Sequence, residues 1–147
     1  MQRILVSACL LGINCKYDGG NNRCEAVCAL LEREDICLIP VCPEQLGGLP
    51  TPRELSELCN SSVINYSGKD VTDSFQRGAE EALKIAQNFG CQCAVLKARS
   101  PSCGSGEIYD GAFSHTLKAG DGVTAKLLKA AGIQIFNETE IEKQLDK

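Results

Sequence analysis

Cys9, Cys42 and Cys103 each follow an apolar run with strand character, over residues 3–8, 37–41 and 93–97 respectively. In an open α/β sheet, ligand-binding and catalytic groups gather beyond the carboxyl ends of the strands. Three soft thiolate donors brought there from separate parts of the chain suit iron–sulfur or zinc ligation. A site with three protein ligands also leaves one position open for chemistry, as in catalytic metal centres. Three structural thiols are the competing reading. Against it, each cysteine lies in loop-like sequence, and none belongs to a plain apolar stripe.

Around these cysteines stand groups that could complete a reactive site. Glu44 lies two residues past Cys42 and is placed to act as a general acid or base; taken as an isolated charge, it reads first as a solvated loop residue. The segment Ser100-Pro101-Ser102-Cys103-Gly104-Ser105-Gly106 offers hydroxyls and backbone N–H groups that can cradle an anion or a cluster's sulfides. Lys97 and Arg99 lead into that segment and either balance an anion, orient a polar substrate, or cap the strand in solvent. Tyr17 offers a stacking face and Asp18 a hydrogen-bond partner for a flat heterocycle, although Asp18 before Gly19 is also a routine turn pair. Arg53, after two prolines, is either a fixed donor or a structural anchor. His115, the one histidine, reads as an ordinary polar loop residue.

The other cysteines sort differently. Cys37, Cys91 and Cys93 open strands and belong to the opposite edge or the core, while Cys24 and Cys28 share a helix face and read as apolar packing. Cys59 falls in a loop, and Cys15 lies in the loop after the first strand, where it can fold over the site. No Cys-x-x-Cys pair occurs, so neither a zinc ribbon nor a bacterial ferredoxin motif is available.

The elements that must position these residues alternate. An apolar first strand is followed by a loop over residues 10–20 and a helix capped by Asn21 or Asn22 that runs to Leu31, with Cys24, Val27, Cys28 and Leu31 inward. A second strand spans 37–41, and Gly and Pro mark 42–53 as irregular. A short extra strand is expected at 61–66. Asp70 or Thr72 caps the longest helix, through Asn88, with Phe75, Ala79, Ala82, Leu83 and Ala86 buried and Gly90 after its end. A third strand spans 92–97, followed by a polar loop to Gly120. Asp121 caps a helix to Ala131, a final strand spans 133–136, and a short helix 139–145 closes the chain. The expected fold is an α/β, Rossmann-like three-layer sandwich with a mostly parallel sheet, as a single domain over residues 1–147.

The 147 residues carry a net charge of −4, which argues against a sequence-independent grip on nucleic acid. No apolar run approaches the roughly 20 residues of a membrane span. Residues 6–9 imitate a lipoprotein cleavage box, but too little sequence precedes them for a leader, so they are expected to be a buried strand. Ten cysteines without a leader, in a chain able to form its own core, point to reduced thiols and a cytoplasmic protein.

Taken together, Cys15-Lys16-Tyr17-Asp18-Gly19, Val41-Cys42-Pro43-Glu44 and Ser100-Pro101-Ser102-Cys103-Gly104 resemble the bacterial family of domains long labelled as of unknown function that includes the thiouracil desulfidases. Segments 6–12, 47–53, 70–72, 96–99, 108–111 and 120–124 extend the resemblance in order over nearly the whole chain. The one departure is Lys16, where Arg is the more usual residue. The resemblance implies a [4Fe–4S] cluster held by Cys9, Cys42 and Cys103, with a fourth iron free to take sulfur from a thiocarbonyl. It also implies a catalytic glutamate, matched by Glu44, and a catalytic serine, for which Ser100 and Ser102 are both offered. The implied substrate is a small thiolated heterocycle, desulfurised to hydrosulfide without net redox change. Two alternatives stand beside it: a redox or iron-sensing module, and a structural zinc domain with Cys15 as fourth ligand.

Overall fold

The computed structural model describes residues 1–145. β1 (Gln2–Ser7) ends in a 3₁₀ turn (Ala8–Leu11), and α1 (Glu25–Ala29) runs into a second such turn (Leu30–Glu32). β2 (Ile36–Val41) is followed at once by α2 (Pro43–Leu46) and then by a hairpin of β3 (Ser56–Cys59) and β4 (Ser62–Asn65). After α3 (Thr72–Asn88) come β5 (Cys93–Leu96) and a second hairpin of β6 (Glu107–Tyr109) and β7 (Leu117–Ala119). α4 (Val123–Ala130), β8 (Gln134–Asn137) and α5 (Glu138–Leu145) complete the order.

Four strands make one parallel sheet in the order β2–β1–β5–β8, with Ile4 facing Leu38 on one side and Cys93 on the other. Strands buried on both faces read as continuous apolar runs, and their alternate side chains enter two separate cores. Leu5, Ala94 and Leu96 pack with Ala86 of α3 and Ala125 and Leu128 of α4. Ile4, Val6 and Val95 pack on the other face with Val27, Leu30 and Ile141. The result is the three-layer α/β arrangement expected. Pro40 lies in the edge strand β2, the position in a sheet where a missing N–H is tolerated and discourages further pairing.

α3 forms as its periodicity dictates. Phe75, Ala79, Ala82 and Ala86 make the buried stripe. Val71, not Asp70 or Thr72, stands at the cap without a side-chain bond, and the Asp70 carboxylate accepts the Thr72 N–H at 2.9 Å ahead of the first turn. Small residues let α3 approach α2 backbone to backbone. A Cβ on Gly78 would sit 1.8 Å from the Pro43 carbonyl oxygen, and one on Gly47 would sit 1.9 Å from that of Ser74. Gly→Ala inside a helix ordinarily gains up to about 1 kcal/mol. Here overpacking reverses the sign, and Gly78→Ala should cost about 1–3 kcal/mol or more. Thermal unfolding checks this; an unchanged or raised midpoint would contradict the close approach, which also fixes Cys42 and Glu44.

Several elements differ from expectation. Residues 42–53 are not wholly irregular: Pro43 occupies the first turn of α2, where its missing N–H costs nothing, and Gly47 ends the helix. The first helix begins only at Glu25, because residues 21–24 are drawn across the end of β1 by bonds from the Asn22 and Cys24 N–H groups to the Cys9 and Leu10 carbonyls. Its inward residues are Val27 and Cys28; in the turn that follows, Leu30 is buried and Leu31 exposed. β3, β6 and β7 appear where loops were expected, and Cys59 ends β3 in solvent. Asp121 does not cap α4; Gly122 does, and the Asp121 carboxylate instead accepts the Gly106 N–H and pairs with Lys129. No helix among the described residues is long and apolar enough to cross a membrane.

Candidate active site

The carboxyl ends of β1, β2 and β5 open onto a cavity of about 320 Å³. Cys9, Cys42 and Cys103 all line it, each delivered by a different strand. Cys9 lies in the 3₁₀ turn after β1, where its carbonyl accepts the Gly12 and Asn22 N–H groups. Cys42 stands at the N-terminal boundary of α2 with extended backbone, and its carbonyl accepts the Leu46 N–H at 3.0 Å. Cys103 is buried in the loop after β5, with the Ser7 hydroxyl facing its sulfur.

That loop is held by α4. The first N–H groups of a helix lack intrahelical partners. Those of Val123 and Thr124 are satisfied by the carbonyls of Pro101 and Ser102, at 2.9 and 2.8 Å. Gly122 permits the contact, since a Cβ there would lie 2.5 Å from Ser102 backbone atoms. The Ser102 hydroxyl, fully buried, is bonded to that of Thr124 at 2.8 Å. Ser102 therefore belongs to this clasp and is absent from the cavity wall, contrary to its expected share in the site.

Ser100 does line the cavity. Its Oγ accepts the N–H groups of Ser102 at 3.1 Å and Cys103 at 3.0 Å. A hydroxyl has two acceptor sites and one hydrogen, so with both acceptors occupied Ser100 is left with an O–H to donate.

Glu44, in the first turn of α2, reaches the cavity and pairs with Arg53 at 3.0 Å, their side chains 17% and 6% exposed. The Arg53 guanidinium also donates to the carbonyls of Cys15 at 2.9 Å and Pro50 at 3.2 Å and to the Thr51 hydroxyl at 2.9 Å. Arg53 is thus an anchor tying its own loop to the loop of Cys15 and to α2, where it fixes one carboxylate oxygen of Glu44. Lys97 lines the cavity, with its ammonium 3.1 Å from Glu138 and 3.0 Å from the Ala98 carbonyl. Tyr17 lines it as well. Asp18 does not: its carboxylate accepts the Gly20 N–H at 2.9 Å, so the turn reading holds.

The fourth thiol is Cys15, which is buried on the same wall with its carbonyl 3.7 Å from the Cys42 sulfur. A hydrogen bond from the Cys15 thiol, the Gln45 N–H and the nearby Arg53 charge bring the Cys42 thiol down to about 6, against the opposing effect of burial. The same hydrogen bond, with burial, pushes the Cys15 thiol far above its ordinary range. Burial also raises Cys9, and it raises Cys103 to about 12. Such thiols give up their protons when a thiophilic metal takes the sulfurs. Three soft donors on one shielded wall, with Arg53 and Lys97 at hand to balance negative charge, are a donor set suited to an iron–sulfur cluster.

Other wall residues carried no expectation of a role. His115, read as an ordinary loop residue, lies on the cavity wall with φ 60° and packs edge-on to Tyr109 at 6.3 Å. The β6–β7 hairpin brings both there. Asn22, Glu57 and Tyr109 also line the cavity. The opposite edge of the sheet carries Cys91 and Cys93, and Cys24 packs against the α1–α5 core.

Residues 4–140 match the 2-thiouracil desulfurase family. The chain is 40% identical to the uncharacterized protein YbbK of Bacillus subtilis (strain 168), over 94% of this chain and 97% of that protein. Among solved structures it is similar to the [4Fe-4S]-dependent thiouracil desulfidase TudS, with a TM-score of 0.87 and 43% identity over 99% of each chain.

Proposed function

The chain belongs to the 2-thiouracil desulfurase family, and on that premise we propose that it removes sulfur from a thiouracil-like base as hydrosulfide, using a [4Fe–4S] cluster held by Cys9, Cys42 and Cys103. The observation that carries this reading is the convergence of those thiols, with Glu44 and Ser100, on one cavity wall. When bound through three cysteines, such a cluster supplies a sulfur-seeking Lewis-acidic iron that polarises the C=S bond and accepts its sulfur.

The chain's own residues do the rest. Glu44, held at one oxygen by Arg53, uses the other to take a proton from water directed at the thiocarbonyl carbon. Ser100 donates its hydroxyl hydrogen to the substrate, the one hydrogen-bonding role its two backbone contacts leave it. Tyr17 supplies a face for the heterocycle, and Lys97 a cation on the same wall. Thiocarbonyl and water become carbonyl and hydrogen sulfide, so no electrons are exchanged.

The substrate is a small molecule; a net charge of −4 argues against a sequence-independent grip on nucleic acid. Ten free cysteines fit the reducing cytosol. A structural zinc site needs four donors converging on one ion. Among the described residues, no group of three or more His, Cys, Asp or Glu side chains is placed to hold a single ion.

Reconstitution with iron and sulfide under anaerobic conditions should give a brown protein that releases hydrosulfide from thiouracil. A brown protein inert toward thiolated bases would instead favour the sensing module.

A further inference from the structure

Among the described residues, Glu57 is the one acidic side chain buried almost completely, at 3% exposure, and it lies on the wall of the cavity shared by Cys9, Cys42 and Cys103. Burying a carboxylate is costly unless its oxygens are hydrogen-bonded. A loop from the second hairpin meets part of that need. The N–H groups of Gly111 and Phe113 both reach Glu57 Oε1, at 3.1 and 3.2 Å.

The loop adopts unusual backbone to do so. Gly111 has φ 95° and crosses β3 so closely that a Cβ would lie 2.7 Å from the Leu58 carbonyl oxygen. Phe113 takes φ 56°, a conformation that a bulky residue rarely adopts. Left-handed backbone of this kind persists where its surroundings over-determine it, and it concentrates at ligand sites. Among the described residues, no hydrogen bond is made by Glu57 Oε2. One oxygen is therefore fixed by the backbone, and its partner has no protein donor while the side chain lines the cavity.

We infer that Glu57 determines specificity by accepting, at Oε2, the ring N–H beside the thiocarbonyl of the substrate. A carboxylate oxygen is an acceptor only, so it selects a heterocycle presenting a donor there and disfavours one that lacks it. Glu44 has one oxygen held by Arg53 and the other given to the attacking water, which leaves Glu57 as the carboxylate arranged for recognition. The inference rests on the desulfidase reading and goes beyond it in naming the substrate edge that is read.

The test compares 2-thiouracil with its N1-methyl and N3-methyl derivatives on the cluster-loaded protein. One methyl isomer should lose about tenfold or more in kcat/KM, as expected when a buried charged hydrogen bond goes unmade, while the other stays near the parent. In Glu57→Gln, the amide oxygen still accepts the Gly111 and Phe113 N–H groups, so the loop stays in place, but an N–H₂ now faces the substrate. The parent should fall about tenfold, chiefly through KM, and its advantage over the disfavoured isomer should shrink toward one. A purely structural carboxylate would leave that ratio unmoved.

Equal turnover of all three compounds by the unsubstituted protein would overturn the inference. So would a Glu57→Gln protein that keeps the ratio, or one that loses kcat with the ratio intact. Each of these results presupposes desulfidation of 2-thiouracil itself. Absence of turnover by a cluster-loaded, unsubstituted protein would instead remove the reading on which the inference rests.

Discussion

Cys103→Ser protein, reconstituted anaerobically, is expected to hold iron at background and to release no hydrosulfide from thiouracil. The serine oxygen is a hard donor and a poor replacement for thiolate at iron. The loop should survive the exchange: Ser7 faces the position, and the clasp to α4 is made by the backbone of Pro101 and Ser102. Far-ultraviolet circular dichroism and a near-native melting midpoint would show this. Cys59→Ser, at the exposed end of β3, should retain both iron and activity. Full turnover by Cys103→Ser would falsify the cluster assignment.

Glu44→Gln separates catalysis from cluster binding. The amide oxygen can still accept from Arg53, so α2 and the loops joined by that guanidinium stay in register. What is lost is the base. Turnover should fall by about 10²–10⁴-fold, the usual contribution of a positioned acid–base group, with iron content unchanged. Hydrosulfide release at the normal rate would mean that another group activates water. If iron were lost as well, Glu44 would have to be reassigned to supporting the cluster loop.

How far such expectations could be drawn from sequence depended on the range of the interactions. The sheet strands were legible because burial on both faces leaves continuous apolar runs at 3–8, 37–41 and 92–97. α3 was legible from the spacing of Phe75, Ala79, Ala82 and Ala86. α2 was hidden because Pro43 and Gly47 look like breakers, yet they occupy its first turn and its end. Of the two hairpins only β4 was anticipated; β3, β6 and β7 are short strands of three or four residues, too brief to show a period.

The site divides in the same way. Cys9, Cys42, Cys103 and Glu44 are placed by the strands they follow, so their arrival at one edge could be anticipated. Ser100 and Ser102 could not be separated, because Ser102 is withdrawn by Thr124, 22 residues away. Asp18 was ambiguous until its carboxylate was seen closing its own turn. Glu57 gave no local signal at all. A glutamate in sequence reads as exposed, and the N–H groups that hold it lie 54 and 56 residues further on.

The most direct measurement is desulfidation of 2-thiouracil in ¹⁸O-labelled water by the cluster-loaded protein, with neither reductant nor oxidant supplied. Each hydrosulfide released should be matched by one uracil carrying a single ¹⁸O, because water replaces sulfur without electron transfer. Turnover that requires an electron donor, or that yields a product without the label, would contradict the account.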